Sequence, residues 1–323
     1  MTLLILRALG LGDLLTAVPA LRALAAAFPD HHRVLAAPAY LAELALLTGA
    51  IDEVVPTAPL APLDEALAQA DVAVNLHGSG PESHRVLLDV VPGRLISFHH
   101  PDVPETTGAP RWRVDEHEMT RWCRLLHESG IPADPRELDL APPGFAPPGH
   151  APDHAWGATL IHPGAAYASR RWPAERWAAV ARAELDAGRP VIVTGGATEV
   201  MLARTVARLA GLPNDAVHAG GLSALELAAL VGAAGRVVCG DTGVAHLATS
   251  LRTPSVVLFG PVSPALWGPP AERTLHRVLW MGTTGDPYGS FPDPGLLEIT
   301  VADVVAALAA LCRQPARPLA RAA

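Results

Sequence analysis

Lysine is absent from this sequence, so arginine supplies all 24 of its basic side chains. Charged residues of both signs make up only 17% of the chain, and the formal net charge is −8. Non-specific binding to nucleic acid requires a basic surface, which this composition does not supply. We therefore expect no nucleic-acid partner, although a few arginines and backbone N–H groups can still hold a small anion locally.

Cysteine is scarce as well: the chain has Cys123, Cys239 and Cys312, without Cys-x-x-Cys spacing. Scattered cysteines in odd number predict neither a disulfide framework nor a zinc site, and they favour a reducing compartment such as the cytoplasm. The Asp-x-Asp, His-Glu-x-x-His, P-loop and Gly-x-Ser-x-Gly motifs are missing too. We therefore expect no metal site and none of the chemistry that those motifs carry.

Long apolar runs are also missing. Arg7 and Asp13 interrupt the apolar stretch near the start, and no basic region precedes it, so we expect no signal peptide. The chain contains no segment of about 18 uninterrupted apolar residues, so we expect no membrane span. Half of the 323 residues are nevertheless apolar, which is enough for the cores of two domains of about 150 residues each.

Short apolar runs alternate with longer amphipathic ones, a pattern typical of βα units and parallel sheets. The predicted strands are Leu3–Leu6, Arg33–Ala37, Asp71–Leu76, Arg94–Phe98, Thr159–His162, Pro190–Thr194, Arg236–Cys239 and Ser255–Phe259. Predicted helices are one after a Gly10–Asp13 loop, Ala174–Ala187, Glu199–Ala210, Ala224–Gly232 and a terminal helix over Val301–Cys312. Pro19 lies within the first helix and predicts either a kink or a later start of its regular part.

The segment Ala141–His154 is dense in proline and glycine and shows no periodicity, which is typical of a linker. We therefore predict an N-terminal Rossmann-like domain over residues 1–145, a linker over 146–155 and a C-terminal Rossmann-like domain over 156–323. Ligands in open α/β sheets bind beyond the carboxyl ends of the strands. The loops at those ends, facing a cleft between the domains, are the places to look for a site.

The first such loop is Gly10-Leu11-Gly12-Asp13, directly after the first strand. Two glycines permit a tight turn and close approach of a ligand, and Asp13 either caps the following helix or projects toward the ligand. Leu15 stands where a dinucleotide-binding fingerprint needs its third glycine. The pattern therefore argues against a nicotinamide-dependent oxidoreductase.

A second loop, from Gly240 to His246, ends another strand and opens a helix. Such a turn directs free N–H groups and the positive end of the helix toward a phosphate. Thr242 is a candidate helix cap, and Asp241 suits sugar hydroxyls better than a diphosphate. Ordinary capping of the helix is the alternative.

The loop after Thr159–His162 carries two arginines, Arg170 and Arg171, beside Trp172. Guanidinium groups at a glycine-rich strand end can neutralise a diphosphate, whereas solvated arginines flanking a packed tryptophan are the alternative. Glu199, at the next strand end, either accepts hydrogen bonds from a ribose or interacts with a helix N-terminus.

Taken in order, these motifs resemble the bacterial heptosyltransferases, glycosyltransferase family 9, which have the GT-B fold. The match runs from GLGDLLTAVPALRAL through HPGAAYASRRWPAERW and VTGGATE to GDTGVAHLATSLRTPSVVLFGP. The resemblance implies an inverting enzyme that needs no metal and no cofactor. Its donor would be a nucleotide diphosphate sugar, preferably ADP-heptose, and its acceptor a glycan, a lipid-linked or a small-molecule hydroxyl.

The resemblance also implies roles for individual residues, with Asp13 as the general base. The donor diphosphate would be bound by Thr242, Gly243, Val244, Arg170 and His246, the sugar by Asp241, and the nucleoside by Glu199 and Leu222. The acceptor side would include Gly10, Gly12, His77, Gly78 and Ser79. Arg170 stands where the family usually has lysine, and Ala165 and Ala166 stand where some relatives carry hydroxyls.

Two other functions remain compatible with these residues. A nucleotide-sugar epimerase of the same architecture would keep the diphosphate site without needing an acceptor. A non-catalytic nucleotide-sugar-binding protein would keep it without needing Asp13. For the transferase, the resemblance implies a cytoplasmic enzyme, with peripheral contact at the inner face of the membrane as a further expectation.

Overall fold

The computed structural model describes residues 1–140 and 151–311. The chain divides into two compact units, Met1–Pro142 and Pro143–Ala323, and each contains one parallel sheet with helices. This confirms the predicted α/β class. Residues 146–150 of the predicted linker lie outside the described residues, and the last part of that linker contains a short 3-10 turn, Asp153–Ala155.

The first unit has a sheet of five parallel strands in the order β3-β2-β1-β4-β5. Its strands are β1 Thr2–Leu6, β2 His32–Ala37, β3 Glu53–Pro56, β4 Val72–Asn75 and β5 Arg94–Ile96. Its α-helices are α1 Leu11–Ala27, α2 Ala42–Leu47, α3 Glu82–Leu88 and α4 Glu118–Glu128. The aliphatic residues of β1 are completely buried, as expected for a central strand covered on both faces.

The second unit has six parallel strands in the order β11-β10-β9-β6-β7-β8. They are β6 Thr159–His162, β7 Val191–Gly195, β8 Val217–Ala219, β9 Arg236–Gly240, β10 Ser255–Leu258 and β11 His276–Leu279. The helices are α5 Ala174–Asp186, α6 Val200–Ala210, α7 Ala224–Ala233, α8 Gly243–Ser250, α9 Pro264–Trp267, α10 Pro294–Glu298 and α11 Val301–Ala309. Buried tryptophans Trp172 and Trp177 meet edge to face in its core, with ring centroids 5.0 Å apart.

Each sheet has one point at which the chain order reverses, and this point positions the candidate site. In the first unit it lies between β1 and β4, and in the second between β9 and β6. Loops that follow neighbouring strands run to opposite faces there, which leaves a crevice at the carboxyl ends of the strands. The motifs at Asp13 and His77 follow the first pair of strands, and those at Arg170 and Asp241 follow the second.

The strands that the sequence analysis missed are β3, β8 and β11, each at an edge of its sheet. Edge strands are covered on fewer sides, so they are short and carry polar residues such as Glu53, His218 and Arg277. Their sequences therefore lack the apolar run that marks a central strand. The predicted terminal helix was too long: α11 ends at Ala309, and Cys312 lies outside the described residues.

The predicted Gly10–Asp13 loop was wrong, because α1 already begins at Leu11. Gly10 is its N-cap, and the Gly10 N–H donates to the Asp13 carboxylate over 3.1 Å, so an acidic side chain closes the first turn. Pro19 lies inside α1, and the helix continues past it to Ala27. Within the described residues, no helix combines the length and apolarity needed to cross a membrane.

Candidate functional site

Asp13 lies in the first turn of α1, beside the reversal point of the first sheet. Its carboxylate accepts the Gly10 N–H and lies 3.7 Å from the guanidinium of Arg7, which is completely buried. Burial raises the pKa of Asp13 above its ordinary value, and the positive charge of Arg7 opposes that rise. The side chain remains partly exposed, so this carboxylate can both reach a ligand and bind a proton.

The loop after β4 approaches the same place through Arg7, whose guanidinium donates to the carbonyl oxygen of Leu76. The next residue, His77, is held by its own N–H, which donates to Oδ1 of Asn75 over 2.8 Å. Burial, together with the charge of Arg7, lowers the pKa of His77 to about 4, so its imidazole is neutral at physiological pH. Gly78 and Ser79 follow it and are partly exposed.

In the second unit, β9 leads into α8 through Asp241 and Thr242. Thr242 is the N-cap residue with extended backbone, yet its side chain makes no capping hydrogen bond in the described structure. Thr242 therefore occupies the predicted N-cap position, but its hydroxyl does not cap the helix. The amides of Gly243 and Val244 begin the helix without a side-chain partner for capping, which leaves its positive end available to an anion.

Arg170 reaches across the reversal point to the same turn, with Nη1 3.4 Å from Oδ2 of Asp241. Burial raises the pKa of Asp241 to about 6, and the guanidinium of Arg170 opposes this. The Nε atom of Arg170 is buried and has no hydrogen-bond partner among the described atoms. Gly240 allows the loop to come close, since a Cβ there would lie 3.1 Å from the Arg170 carbonyl oxygen.

The two neighbouring arginines differ. Arg171 donates through Nε to the carbonyl oxygen of Ala165 over 2.8 Å and so fixes its own loop. Trp172 is buried and donates through Nε1 to the Ile299 carbonyl oxygen over 3.2 Å. Only Arg170 of the pair faces Asp241, so the structure separates an anion-binding candidate from its structural neighbour.

His246, on the first turns of α8, is buried, and its ring contacts Trp267 edge to face with centroids 5.9 Å apart. Leu222 is partly buried and directly precedes Ser223, the N-cap of α7. Both residues stay predictions as donor contacts.

Glu199 lies where β7 passes into α6, and it connects the ends of two strands, β6 and β7. Its Oε2 accepts the Gly196 N–H over 2.8 Å and lies 3.6 Å from Nε2 of buried His162. Nδ1 of His162 in turn lies 3.0 Å from the Thr194 hydroxyl. The carboxylate occupies the space in which a Cβ of Gly164 would lie, so that glycine is needed for the arrangement.

Sequence analysis missed two residues of the first unit that belong to this region. Arg7 was noted only as an interruption of an apolar run, and Glu118 was not considered. Their side chains pair over 3.0 Å although 111 positions separate them. A buried arginine directly after a central strand was the available signal, because a buried charge requires a partner.

Among the described residues, no group of three or more histidine, cysteine or carboxylate side chains is arranged to hold a metal ion. Two cysteines, Cys123 and Cys239, are buried free thiols. Burial raises the pKa of Cys123 to about 12, so this thiol stays protonated. Metal independence of the chemistry stays a prediction.

Comparison with protein families matches residues 108–283, more than half of the chain, to glycosyltransferase family 9 (heptosyltransferase). Among curated proteins, the chain is 33% identical over 114 residues to lipopolysaccharide heptosyltransferase 1 of Pseudomonas aeruginosa. That alignment covers 35% of this chain and 31% of the relative, so the chain matches less than a third of that relative's length.

Solved structures match over nearly the whole chain. E. coli ADP-heptose lps heptosyltransferase II superposes with a TM-score of 0.73 at 21% identity, covering 96% of this chain and 98% of that one. E. coli heptosyltransferase WaaC with ADP gives a TM-score of 0.70 at 18% identity, over 96% and 99% of the two chains. At these identities the matches show similarity of fold only, and they confirm the predicted GT-B architecture.

Proposed function

Because this chain belongs to glycosyltransferase family 9, we propose that it transfers a sugar from a nucleotide diphosphate donor to an acceptor hydroxyl. We take ADP-heptose as the favoured donor, because one structural neighbour is named an ADP-heptose lps heptosyltransferase and another was solved with ADP. The reaction we propose inverts the anomeric configuration and needs neither metal nor cofactor. The acceptor is a glycan, a lipid-linked or a small-molecule hydroxyl.

One observation carries this proposal: Arg170 lies beside a helix N-terminus that no side chain of the described residues caps. The Nε of Arg170 is buried without a partner, and its contact with Asp241 is a loose ion pair of 3.4 Å. Leaving a buried donor unsatisfied costs about 1–3 kcal/mol, which a bound anion would recover. We assign the diphosphate to Arg170 and to the backbone amides of Thr242, Gly243 and Val244.

These groups suit the leaving diphosphate in the transition state. When the acceptor oxygen bonds to the anomeric carbon, the bond from that carbon to the diphosphate oxygen breaks, and negative charge grows on the leaving group. Donors already aligned there stabilise the charge without reorganisation, and removal of one such donor typically costs about 2.7–4 kcal/mol. His246, in the same helix, is assigned to this subsite, and Asp241 to the donor sugar.

Asp13 is assigned as the general base that accepts the proton of the attacking hydroxyl. Its partial exposure and raised pKa favour this, because a carboxylate accepts a proton more readily when burial destabilises its charge. A positioned base typically contributes about 100- to 10,000-fold. The neighbouring Gly10, Gly12, His77, Gly78 and Ser79 are assigned to the acceptor.

Glu199 and Leu222 are assigned to the nucleoside. Glu199 is fixed by the Gly196 N–H and by His162, which leaves Oε1 of its carboxylate for ribose hydroxyls. The free thiols at Cys123 and Cys239 agree with a cytoplasmic enzyme, where disulfides are rare, and peripheral membrane contact is part of this proposal.

A panel of nucleotide sugars tests the donor assignment by thermal shift, because stabilisation grows with occupancy. We expect ADP and ADP-heptose to raise Tm in the presence of EDTA, and uridine or guanosine diphosphate sugars to raise it less. No stabilisation by any nucleotide sugar would contradict the proposal. Transfer to a candidate acceptor, followed by NMR of the new anomeric centre, then tests inversion.

The two alternatives give different outcomes in the same assays. An epimerase converts the donor to an isomer when no acceptor is present, which NMR of the incubated nucleotide sugar detects. A binding protein is stabilised by the donor but gives no product with any acceptor of the panel.

A further inference from the structure

A row of four alternating charges runs inward from Asp13 in the first unit. Asp13 faces Arg7 at 3.7 Å, Arg7 faces Glu118 at 3.0 Å, and Arg121 pairs with the other carboxylate oxygen of Glu118. Only Asp13 is appreciably exposed, since the other three side chains are buried. Asp13 is therefore the outer end of a buried ionic network.

Arg7 is held from several sides. Its Nε donates to the Asp13 carbonyl oxygen over 2.6 Å, and a terminal nitrogen donates to the Leu76 carbonyl oxygen. The guanidinium also lies over the ring of Trp122, 4.8 Å from its centroid. These contacts join β1, α1, β4 and α4, so the cation has one defined position beneath the Asp13 carboxylate.

Glu118 is the first residue of α4, where the positive end of the helix favours an acidic side chain. Its Oε1 accepts hydrogen bonds from Arg7 and from Nε1 of Trp122 over 3.0 and 2.8 Å, and its Oε2 accepts from Arg121. Burial acts to raise the pKa of Glu118, but the charges of Arg7 and Arg121 and the hydrogen bonds from Arg7 and Trp122 outweigh it and lower that pKa. Glu118 is thus ionised at neutral pH and competes with Asp13 for Arg7.

We propose that Glu118 is a positioning residue for Asp13: it holds the buried Arg7, and Arg7 in turn sets the orientation and charge of the Asp13 carboxyl. The catalytic meaning of this arrangement rests on the proposed function of Asp13 as the base. Without Glu118, Arg7 would pair with Asp13 alone and would stabilise the ionised form of the Asp13 carboxyl more strongly. A base that is too strongly paired accepts a proton less readily.

Tyr40 and His77 are further titratable groups near Asp13 and Arg7. Tyr40 faces Asp13, because the charge of Asp13 adds to burial in raising the pKa of this phenol. His77 faces Arg7 and is neutral near pH 7. Of the groups facing the Asp13 carboxyl, Arg7 lowers its pKa and Glu118 raises it, so removing the charge of Glu118 has a predictable sign.

The experiment is an NMR titration of the full chain with 13C-labelled aspartate carboxyls, in which Asp13→Asn identifies the Asp13 signal. In Glu118→Gln, the pKa of Asp13 is expected to fall by roughly half a unit or more, since a like charge is removed. The glutamine keeps a carbonyl oxygen for Trp122. An unchanged Asp13 titration would overturn the proposal.

The matched control is Glu116→Gln, which breaks a 2.7 Å ion pair with Arg124 in the segment before the same helix. This control should leave the Asp13 titration where it is. If Glu118→Gln does not fold, Glu118→Asp withdraws the carboxylate by one methylene while keeping its charge. We expect a smaller fall of the same sign, and no fall would again overturn the proposal.

Enzyme kinetics separate this inference from the proposed function. The acid limb of kcat/KM should move to lower pH in Glu118→Gln by the amount seen in the titration. A titration that moves while the limb stays would uphold the link from Glu118 to Asp13 and remove Asp13 as the base.

Discussion

The reversal points of the two sheets each hold an arginine facing an aspartate, but with opposite burial. In the first unit the Arg7 side chain is 0% exposed and that of Asp13 is 28% exposed, across 3.7 Å. In the second unit Arg170 is 24% exposed and Asp241 is 8% exposed, across 3.4 Å. The first unit thus presents the acid to solvent, and the second presents the cation.

This difference shows how the same type of ion pair, arginine with aspartate, can suit two kinds of chemistry. The exposed partner is the one that a ligand reaches, and the buried partner fixes its position and modifies its affinity for protons or anions. An exposed carboxylate over a buried cation suits proton transfer. An exposed guanidinium over a buried carboxylate suits phosphate binding, because the phosphate can displace the carboxylate as the partner of the guanidinium.

The comparison is tested most strongly at the exposed acid. Asp13→Asn should reduce kcat by about 100-fold or more, because the amide cannot accept the acceptor's proton. The dissociation constant for ADP, measured by calorimetry, should change less than about twofold. Unchanged turnover in this variant would remove the acid from the mechanism.

The exposed cation gives the next largest effect. Arg170→Ala should weaken ADP binding by about tenfold or more, because a charge-assisted hydrogen bond to a phosphate is worth roughly 1.5–3 kcal/mol. Arg171→Ala is the matched control, since Arg171 bonds to the carbonyl of Ala165 within its own loop. Equal affinities for the two variants in calorimetry would contradict the distinction between the two arginines.

The second reversal point differs from the first in that Gly240 lies close to the carbonyl oxygen of Arg170. Gly240→Ala would bring a methyl group within 3.1 Å of the Arg170 carbonyl oxygen, so the loop that carries this arginine must move. We expect ADP binding to weaken by a few-fold, measured by calorimetry. Gly78→Ala, after β4, meets nothing within 4 Å and should leave ADP binding unchanged.

At the buried acid, Asp241, the comparison is tested through the pH dependence of stability. The pKa of Asp241 is raised from 3.8 to about 6, so its favourable contribution is complete below pH 3.8 and is lost as pH rises through 6. Asp241→Asn should therefore raise Tm at pH 8 by roughly 2–4 °C relative to wild type, and less at pH 5.

Asp303→Asn is the control for that measurement. The pKa of Asp303 is lowered by hydrogen bonds from Thr300, so its loss should not raise Tm at pH 8. A gain at pH 8 in Asp303→Asn equal to that in Asp241→Asn would show that the effect comes from lowering the net negative charge. In that case burial of Asp241 would not explain it.

The sequence predicted the parts of this molecule that depend on local patterns. Central strands such as Leu3–Leu6 were found because their residues are all apolar, and the turns after them were found through glycine and aspartate. The start of α1 was misplaced, because Asp13 closes the first turn through the Gly10 N–H and so belongs to the helix.

Local sequence patterns could not predict which charged side chains pair when they lie far apart in the chain. Nothing near Arg7 in the chain indicates Glu118, which is brought to it only when α4 packs against α1. The pairing of Arg170 with Asp241 likewise depends on β6 and β9 being neighbours in the sheet. Sequence patterns therefore indicated most of the candidate side chains, while the partner of each and its burial required the tertiary structure.

The loop that carries Arg170 is attached to the end of the described chain. Trp172 donates to the carbonyl of Ile299, and Arg176 donates to the carbonyls of Leu297 and Ile299, just ahead of α11. A truncation upstream of position 297 would therefore remove the anchors of the loop to which we assign the donor diphosphate. We would then expect such shortened versions to bind nucleotide more weakly than the full 323-residue chain.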